Sequence, residues 1–157
     1  MKVLCDQMLG SLATWLRFLG VDTYYATDEQ SDDELLEVAQ KEKRMLLTRD
    51  KELIIRAHSR NLPVIPIEDD DLDTQLELVV SKIQIDESLI LTRCALCNTP
   101  LQQVEKDKVQ HKVPEKVFEN HTLFWRCPQC NKFYWKGTHF EKIQQKIKQL
   151  LKEKESL

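Results

Sequence analysis

Two carboxylates follow short apolar segments of the sequence. Asp6 ends the segment Lys-Val-Leu-Cys-Asp, and Asp50 ends the segment Met-Leu-Leu-Thr-Arg-Asp. Short apolar runs are typical of strands that a parallel sheet buries on both faces, and ligands bind just beyond the carboxyl ends of such strands. An unpaired charge is costly to bury. We therefore expect Asp6 and Asp50 to lie at one edge of a sheet and to face solvent, a partner or a metal ion.

This edge, with the carboxylates that follow the predicted strands, is named the acidic rim. Right-handed crossovers place all carboxyl ends of a parallel sheet at the same edge, so residues 28–34 and 68–71 are expected there as well. Mg²⁺ and Mn²⁺ prefer oxygen ligands, and two such ions can catalyse phosphoryl displacement. The candidate ligands and catalytic residues are Asp6, Asp32 and Asp50, with a contribution from Asp69, Asp70 or Asp71.

These acids also have purely structural interpretations, which remain open from the sequence. Ser31 and Glu34 have the spacing of a capping box, in which case Asp32 would complement the dipole of a helix. Asp50 and Asp71 each precede a predicted helix and could cap it.

Four of the five cysteines form two Cys-x-x-Cys pairs with 29 residues between them. Two such turns supply the four thiolates that a structural Zn²⁺ site requires. A redox motif would not need a second copy, and disulfides are disfavoured in the cytosol. We expect zinc to bind Cys94, Cys97, Cys127 and Cys130, and the lone Cys5 to be a small core residue.

The charge of the chain is divided unevenly along its length. Residues 1–91 carry 10 Lys and Arg against 19 Asp and Glu, whereas residues 92–157 carry 13 against 7. Such asymmetry indicates nucleic acid as a partner, although two differently charged solvated surfaces would also explain it. No apolar run approaches the roughly 20 residues of a membrane span. With no secretory signal visible, we expect a cytoplasmic protein; its oligomeric state is not predicted.

Strands alternate with helices four times in the first 85 residues, which is typical of β-α-β units and a parallel sheet. The prolines near residue 65 place the fourth strand at a sheet edge. An α/β three-layer domain is therefore expected over residues 1–90. The predicted strands are 2–6, 21–25, 44–48 and 62–67, and the predicted helices are about 8–19, 31–43, 50–59 and 71–83.

The remainder, residues 91–157, is predicted to be a zinc ribbon and a C-terminal helix. Helical periodicity is absent over residues 94–139. The gap of 29 residues between the cysteine pairs exceeds the roughly 15–20 residues of a common zinc ribbon, so an elaborated hairpin is expected to fill it. From residue 139 the chain reads as a helix that packs back on one of the domains through one apolar stripe. The stripe comprises Phe140, Ile143, Ile147, Leu150 and Leu151.

Basic and aromatic residues near both sites are candidates for substrate binding. Lys132, Trp135 and Lys136 alternate around Tyr134, and aromatic rings can stack on bases while lysines contact phosphates. The alternative is that these rings form the core of a small module. Arg17 and Arg49 are expected near the rim, where each would contact phosphate or pair with a carboxylate.

Several motifs, in order, resemble the mut-seven C-terminal RNase family, a PIN-like nuclease domain with an appended zinc ribbon. The motifs are D-x-M-L-G-x-L-A-x-W-L-R-x-L-G at 6–20, S-D-x-E-L-L at 31–36, L-L-T-R-D at 46–50, the two Cys-x-x-Cys pairs and Y-W-x-G-T-H at 134–139. The resemblance covers nearly the whole chain. It implies a PIN-like sheet, RNA as the substrate and divalent-metal cleavage of phosphodiesters.

Carried over by motif, the family's acidic positions correspond to Asp6, Asp32 and Asp50. The further glutamate that PIN nucleases often carry on a helix has no clear match in this sequence. The missing glutamate leaves open a catalytically inactive RNA-binding module. The net negative charge of the chain leaves open a protein-interaction adapter built on the ribbon.

Overall fold

The computed structural model describes residues 1–156, and the first 82 of these form a layered α/β unit. Its strands are β1 (Lys2–Cys5), β2 (Asp22–Tyr25), β3 (Met45–Thr48) and β4 (Val64–Pro66). Its helices are α1 (Gly10–Phe18), α2 (Asp32–Glu42), α3 (Lys51–Ser59) and α4 (Leu72–Lys82). All strands are parallel, in the order β2-β1-β3-β4, so the predicted parallel sheet is confirmed and β4 lies at an edge as expected.

The sheet is buried on both faces because its strands are apolar at successive positions. Val3 and Cys5 pack with α1 and α4 on one face, whereas Leu4 and Leu46 pack with α2 and α3 on the other. These four strand residues are all completely buried. The three layers follow from this double burial.

Strands β1 and β3 are the two central strands and lie side by side. Leu4 pairs with Leu46 and Cys5 with Leu47, and the Asp6 N–H continues the ladder with a 3.0 Å bond to the Leu47 carbonyl. The chain leaves β1 toward β2 on one side, and the later strands are added on the other side. This reversal makes the carboxyl ends of β1 and β3 the topological switch point, where open α/β sheets bind their ligands.

The first helix begins later than predicted. Asp6 accepts a hydrogen bond from the Gln7 N–H and caps a 3₁₀ turn over Gln7–Leu9, so α1 proper begins at Gly10 instead of residue 8. It ends as expected near Gly20, whose φ of 80° is a conformation that glycine adopts without strain.

The cysteine-containing segment forms an antiparallel sheet of β5 (Gln102–Val104), β6 (Phe124–Arg126) and β7 (Phe133–Trp135). The lack of helical periodicity in this segment does not mean a lack of helix. A 3₁₀ turn at Lys106–Val109 and helix α5 (Glu115–Asn120) fill the connection between β5 and β6. A helix of six residues is too short to display a periodic pattern in the sequence.

The chain ends in α6 (Thr138–Glu155), which packs against the α/β unit. Ile143, Ile147 and Leu150 join the same core as α1 and α4, and the Lys154 ammonium donates to the Ile83 carbonyl at 2.7 Å. The predicted packing of the apolar stripe is therefore confirmed. Among the described helices, none has the length and apolar character that crossing a membrane requires.

Candidate active site and metal centre

Asp6 lies at the carboxyl end of β1, and its side chain is held in place by two hydrogen bonds. Its Oδ1 accepts from the Gln7 N–H at 2.7 Å, and its Oδ2 accepts from the Thr48 hydroxyl at 2.8 Å. Only 7% of the residue is exposed. Both donors are neutral, so the hydrogen bonds fix the orientation of the carboxylate without cancelling its charge.

Thr48, the last residue of β3, links the two strand-end acids. Its fully buried hydroxyl donates to Asp6 and accepts from the Asp50 N–H at 3.0 Å. Asp50 in turn caps α3, because its Oδ1 accepts from the N–H groups of Glu52 at 2.8 Å and Leu53 at 3.1 Å. Among the described residues, none donates to the other carboxylate oxygen of Asp50. The cap therefore leaves one oxygen free for a ligand.

Asp32 lies in the first turn of α2 and faces α3. Its carboxylate is 3.2 Å from a guanidinium nitrogen of Arg56, which also pairs with Asp33. The capping box of Ser31 and Glu34 is present, and hydrogen bonds from Ser31 hold the pKa of Glu34 below its ordinary value. The interpretation of this segment as a helix cap is therefore confirmed. The ion pairs of Arg56 with Asp32 and Asp33 were not indicated by the sequence.

The three acids do not form a closed cluster. Over residues 1–156, only the four cysteines form a group of three or more potential ligands whose binding atoms all lie within 4.8 Å of one another. The structure brings Asp6 and Asp50 together through Thr48, whereas Asp32 is held to one side by Arg56.

The loop after β4 supplies the remaining acids of the rim. Asp71 caps α4 by accepting from the Thr74 N–H at 2.9 Å, and Asp69 accepts from the Asp71 N–H at 2.7 Å. Arg49 lies at the rim, as expected, and pairs with Asp70. Because the Asp70 side chain is 84% exposed, this ion pair contributes little to stability and can exchange partners.

Arg17 is not at the rim, and that expectation was wrong. It lies in the last turn of α1, which runs away from the rim, and only 7% of it is exposed. Its guanidinium donates to the carbonyls of Thr23 at 3.1 Å, Ala95 at 2.9 Å and Leu96 at 2.9 Å. Arg17 therefore connects the α/β unit to the first cysteine turn, and its guanidinium is bonded to protein carbonyls instead of being available to a phosphate.

The four cysteines converge from two matching turns. The Cys94 and Cys130 sulfurs are 3.7 Å apart, and those of Cys97 and Cys127 are 3.2 Å apart. Sulfurs bonded to one tetrahedral Zn²⁺ at about 2.3 Å would be separated by roughly 3.8 Å. The donor set and its spacing therefore fit a zinc ion.

Both turns are closed by an asparagine in a left-handed conformation. Asn98 has φ 69° and Asn131 has φ 62°, and each N–H donates back to the carbonyl of the first cysteine of its pair, at 3.0 and 2.9 Å. Asparagine tolerates this conformation better than most residues. An asparagine therefore closes each of the two cysteine turns.

The environment shifts the pKa values of two thiols in opposite directions. Burial raises the pKa of Cys97, but hydrogen bonding with Thr99 outweighs it and lowers the value to about 6. Burial raises the pKa of Cys127 to about 12.

The Tyr134 hydroxyl lies 3.1 Å from the Cys94 sulfur and from the Ala95 nitrogen, a contact that the sequence did not indicate.

Asp22, at the start of β2, is the centre of a polar network that the sequence also did not reveal. It accepts from Arg44 at 2.7 Å and from the Asn98 side chain at 2.8 Å. Burial would raise the pKa of Asp22, but the hydrogen bonds from Arg44 and Asn98 hold it below its ordinary value. The first cysteine turn is therefore fixed to the edge of the sheet by both Arg17 and Asp22.

The ribbon residues predicted to contact a substrate lie near aromatic rings. The Lys132 ammonium is 5.3 Å from the centre of the Tyr134 ring, and the Lys136 ammonium is 5.8 Å from the rings of both Trp125 and Phe140. Trp135 is half-buried on β7. Each ring is thus partly packed in the core of the module and partly accessible for stacking on a base, so neither interpretation of these rings is excluded.

A family model described as the Mut7-C RNAse domain matches residues 1–147. The match includes the acidic rim, all four converging cysteines and the first part of α6. A search of curated proteins found no match to the chain.

Replacing Cys94 or Cys127 by Ser is expected to abolish zinc binding and unfold the ribbon, because a structural zinc site contributes directly to folding. Metal analysis of protein purified under reducing conditions measures this, with one zinc per chain expected for the wild type. Cys5→Ala is the matched control and should keep its zinc, since Cys5 is buried in the sheet. Wild-type protein without zinc would contradict the assignment.

Arg17→Leu is expected to lower the free energy of unfolding by about 2–4 kcal/mol, because it leaves buried carbonyls unsatisfied. Denaturant titration measures this loss. Arg60→Gln, which removes only an exposed ion pair to Asp33, should change stability by less than about 0.5 kcal/mol. An Arg17→Leu protein of wild-type stability but with weakened RNA binding would instead restore the substrate-binding role.

Proposed function

The chain belongs to the Mut7-C RNAse domain family, and from this membership we propose that it is a ribonuclease that cleaves RNA with divalent metal ions at the acidic rim. Its α/β unit would then be a PIN-like nuclease domain. The observation that carries the proposal is the pairing of Asp6 and Asp50 at the switch point of the sheet, linked through Thr48.

The residues of the rim fit a hard divalent cation. Asp6 is almost fully buried, yet no described Lys, Arg or His forms an ion pair with it or with Asp50. Two carboxylates on adjacent strands, oriented by neutral donors, supply oxygen ligands and a negative field without a counter-charge. Mg²⁺ and Mn²⁺ are the ions that such a donor set suits.

The chain's own groups would act mainly by positioning. Thr48 and the Gln7 N–H orient Asp6, and the N-terminus of α3 orients Asp50, so both ligands are held before substrate arrives. Bound Mg²⁺ or Mn²⁺ would lower the pKa of a water molecule and neutralise charge that develops on the phosphate. Water is then the nucleophile, and no side-chain nucleophile is required.

Asp32 and Arg49 have supporting roles in this proposal. Asp32 completes the metal site when it exchanges its pairing with Arg56 for the ion. Arg49 is close to the metal ligands and is paired only with the exposed Asp70, so it can turn to a phosphate of the RNA. Zinc at the four cysteines would have a structural role, and Lys132, Trp135 and Lys136 would contact RNA.

A second candidate function is supported by the open arrangement of the rim. The carboxylates of Asp6, Asp32 and Asp50 do not converge as the cysteines do, and Asp32 is already neutralised by Arg56. A module that binds RNA without cleaving it would not need these three carboxylates to lie closer together. Cleavage distinguishes the two functions directly.

Asp6→Asn and Asp50→Asn are each expected to reduce Mn²⁺-dependent cleavage of mixed RNAs by about a hundredfold or more, because a metal ligand contributes several kcal/mol to catalysis. Asparagine keeps the size of the side chain and can still cap α3 at position 50. Zinc content should therefore stay unchanged in both variants, and Asp50→Asn should keep its stability. Asp6→Asn replaces one of two acceptor oxygens by an amide donor, so it should remain folded with a loss of about 1–3 kcal/mol at most. Cleavage is measured with end-labelled RNA in protein free of contaminating nuclease.

The control for this loss is Asp86→Asn. Asp86 is an exposed acid that caps a 3₁₀ turn after α4, so the variant removes one negative charge without touching the rim. It should cleave at the wild-type rate. A double variant, Asp6→Asn with Asp50→Asn, that still cleaves at that rate would disprove the metal-site assignment.

A further inference from the structure

A groove of about 680 Å³ lies between the ribbon and the tail helix. One wall is the linker that joins α4 to the first cysteine turn, a second is formed by β6 and β7, and a third by the beginning of α6. Phe18, at the end of α1, also lines the groove, as do Ile143 and Ile147. The groove is therefore built from four separate parts of the chain that the packing of α6 brings together.

Aromatic side chains line this groove at the ribbon and at α6. Trp125, Trp135 and Phe140 are all half-buried, so each has one part fixed by packing and another part accessible. The indole of Trp135 is held close to Gly137, where an added Cβ would lie 2.9 Å from the indole nitrogen. Rings that are fixed before a ligand binds lose little entropy when a base stacks on them.

The charged residues of the groove are mostly basic. Among its lining residues four are Lys or Arg and one, Glu87, is acidic. Lys136 is placed between rings, with its ammonium 5.8 Å from both Trp125 and Phe140. Lys132 and Lys148 are exposed at the groove. Cations beside accessible rings are complementary to a polymer that alternates phosphates with flat bases.

We propose that this groove binds a single-stranded segment of RNA, with bases on the aromatic rings and phosphates on Lys132, Lys136 and Lys148. The identity of the polymer as RNA rests on the proposed function. The groove itself indicates that the RNA is single-stranded, because rings inside a cleft can stack only on unpaired bases. A peptide partner fits less well, since the basic lining would demand an acidic segment and would leave the rings without a specific role.

The groove is separated from the acidic rim by the length of α1. Helix α1 leaves the rim at Gly10 and ends at Phe18 in the groove, and nine helical residues extend roughly 13 Å. A long RNA could occupy the groove while another part of the same strand reaches the rim. A very short RNA could reach only one of them.

The binding test uses the full chain with Asp6→Asn, so that RNA survives the measurement, and a fluorescent single-stranded RNA in a salt series. Lys136→Gln with Lys148→Gln should weaken binding and reduce the slope of log K against log salt by about 1.4, since each phosphate contact on a single strand contributes about 0.7. Lys142→Gln with Lys152→Gln is the matched control. These exposed lysines lie on α6 outside the groove and should leave the slope unchanged.

Stacking of a base on an aromatic ring is tested separately by two substitutions of Phe140. Phe140→Leu should weaken RNA binding about fivefold or more, whereas Phe140→Tyr, which keeps the ring, should bind nearly as the parent does. Unlabelled single strands should displace the probe, and a duplex of equal length should compete poorly. Zinc content and thermal unfolding of each variant show that the ribbon remains folded.

Either of two results would overturn the proposal: equal salt slopes for the groove and control lysine variants, or a duplex that competes as well as a single strand. Failure of the proposed function is recognised differently. If RNA binds through the groove but no preparation cleaves it, the RNA-binding role of the groove is supported and the proposed nuclease activity is disproved. If RNA is cleaved, the groove variants should raise KM for long RNAs and leave kcat unchanged.

Discussion

The parallel pairing of β1 with β3 is the constraint on which the rest of the structure depends. It brings the end of one strand beside the end of the other, so that Asp6 lies next to Thr48, three residues before the start of α3 at Lys51. The hydroxyl of Thr48 then fixes the carboxylate of Asp6 and the backbone of Asp50 simultaneously. Because the helices of both outer layers also pack against these central strands, the rim and the layers have a common origin.

A second, buried polar connection ties the ribbon to the sheet. Asp22, Arg44 and Asn98 form one hydrogen-bonded network, and Arg17 adds bonds to the carbonyls of the first cysteine turn. Burying such groups costs free energy unless each finds a partner, and here they do. The first cysteine turn is thereby part of the packing of the α/β unit, and the geometry of its sulfurs is coupled to the position of β2.

Much of this architecture was visible in the sequence because local patterns determine it. Short apolar segments, the alternation of strands with helices and the capping box defined the elements, and the rule that parallel strands end at one edge placed Asp6 and Asp50 together. The cysteine spacing identified the converging sulfurs. Part of what failed was local, since the 3₁₀ turn before α1 and the six-residue α5 are too short to display a periodic pattern. The rest depended on contacts between distant positions. Arg17 meets residues 78 and 79 positions away, and Arg56 meets Asp32 across 24 positions, which no local pattern reveals.

The first cysteine turn also covers the open side of β2. This strand is one of the two edge strands of the sheet, and the backbone of Thr23 points outward, yet its N–H is bonded to Asn98 and its carbonyl to Arg17. Uncovered outer strands are templates on which a second chain can add a strand and begin to aggregate. A chain whose cysteines are oxidised or unliganded would lose the turn that holds Asn98 in place. Its self-association would then begin at the uncovered edge of β2, before the layered core had unfolded.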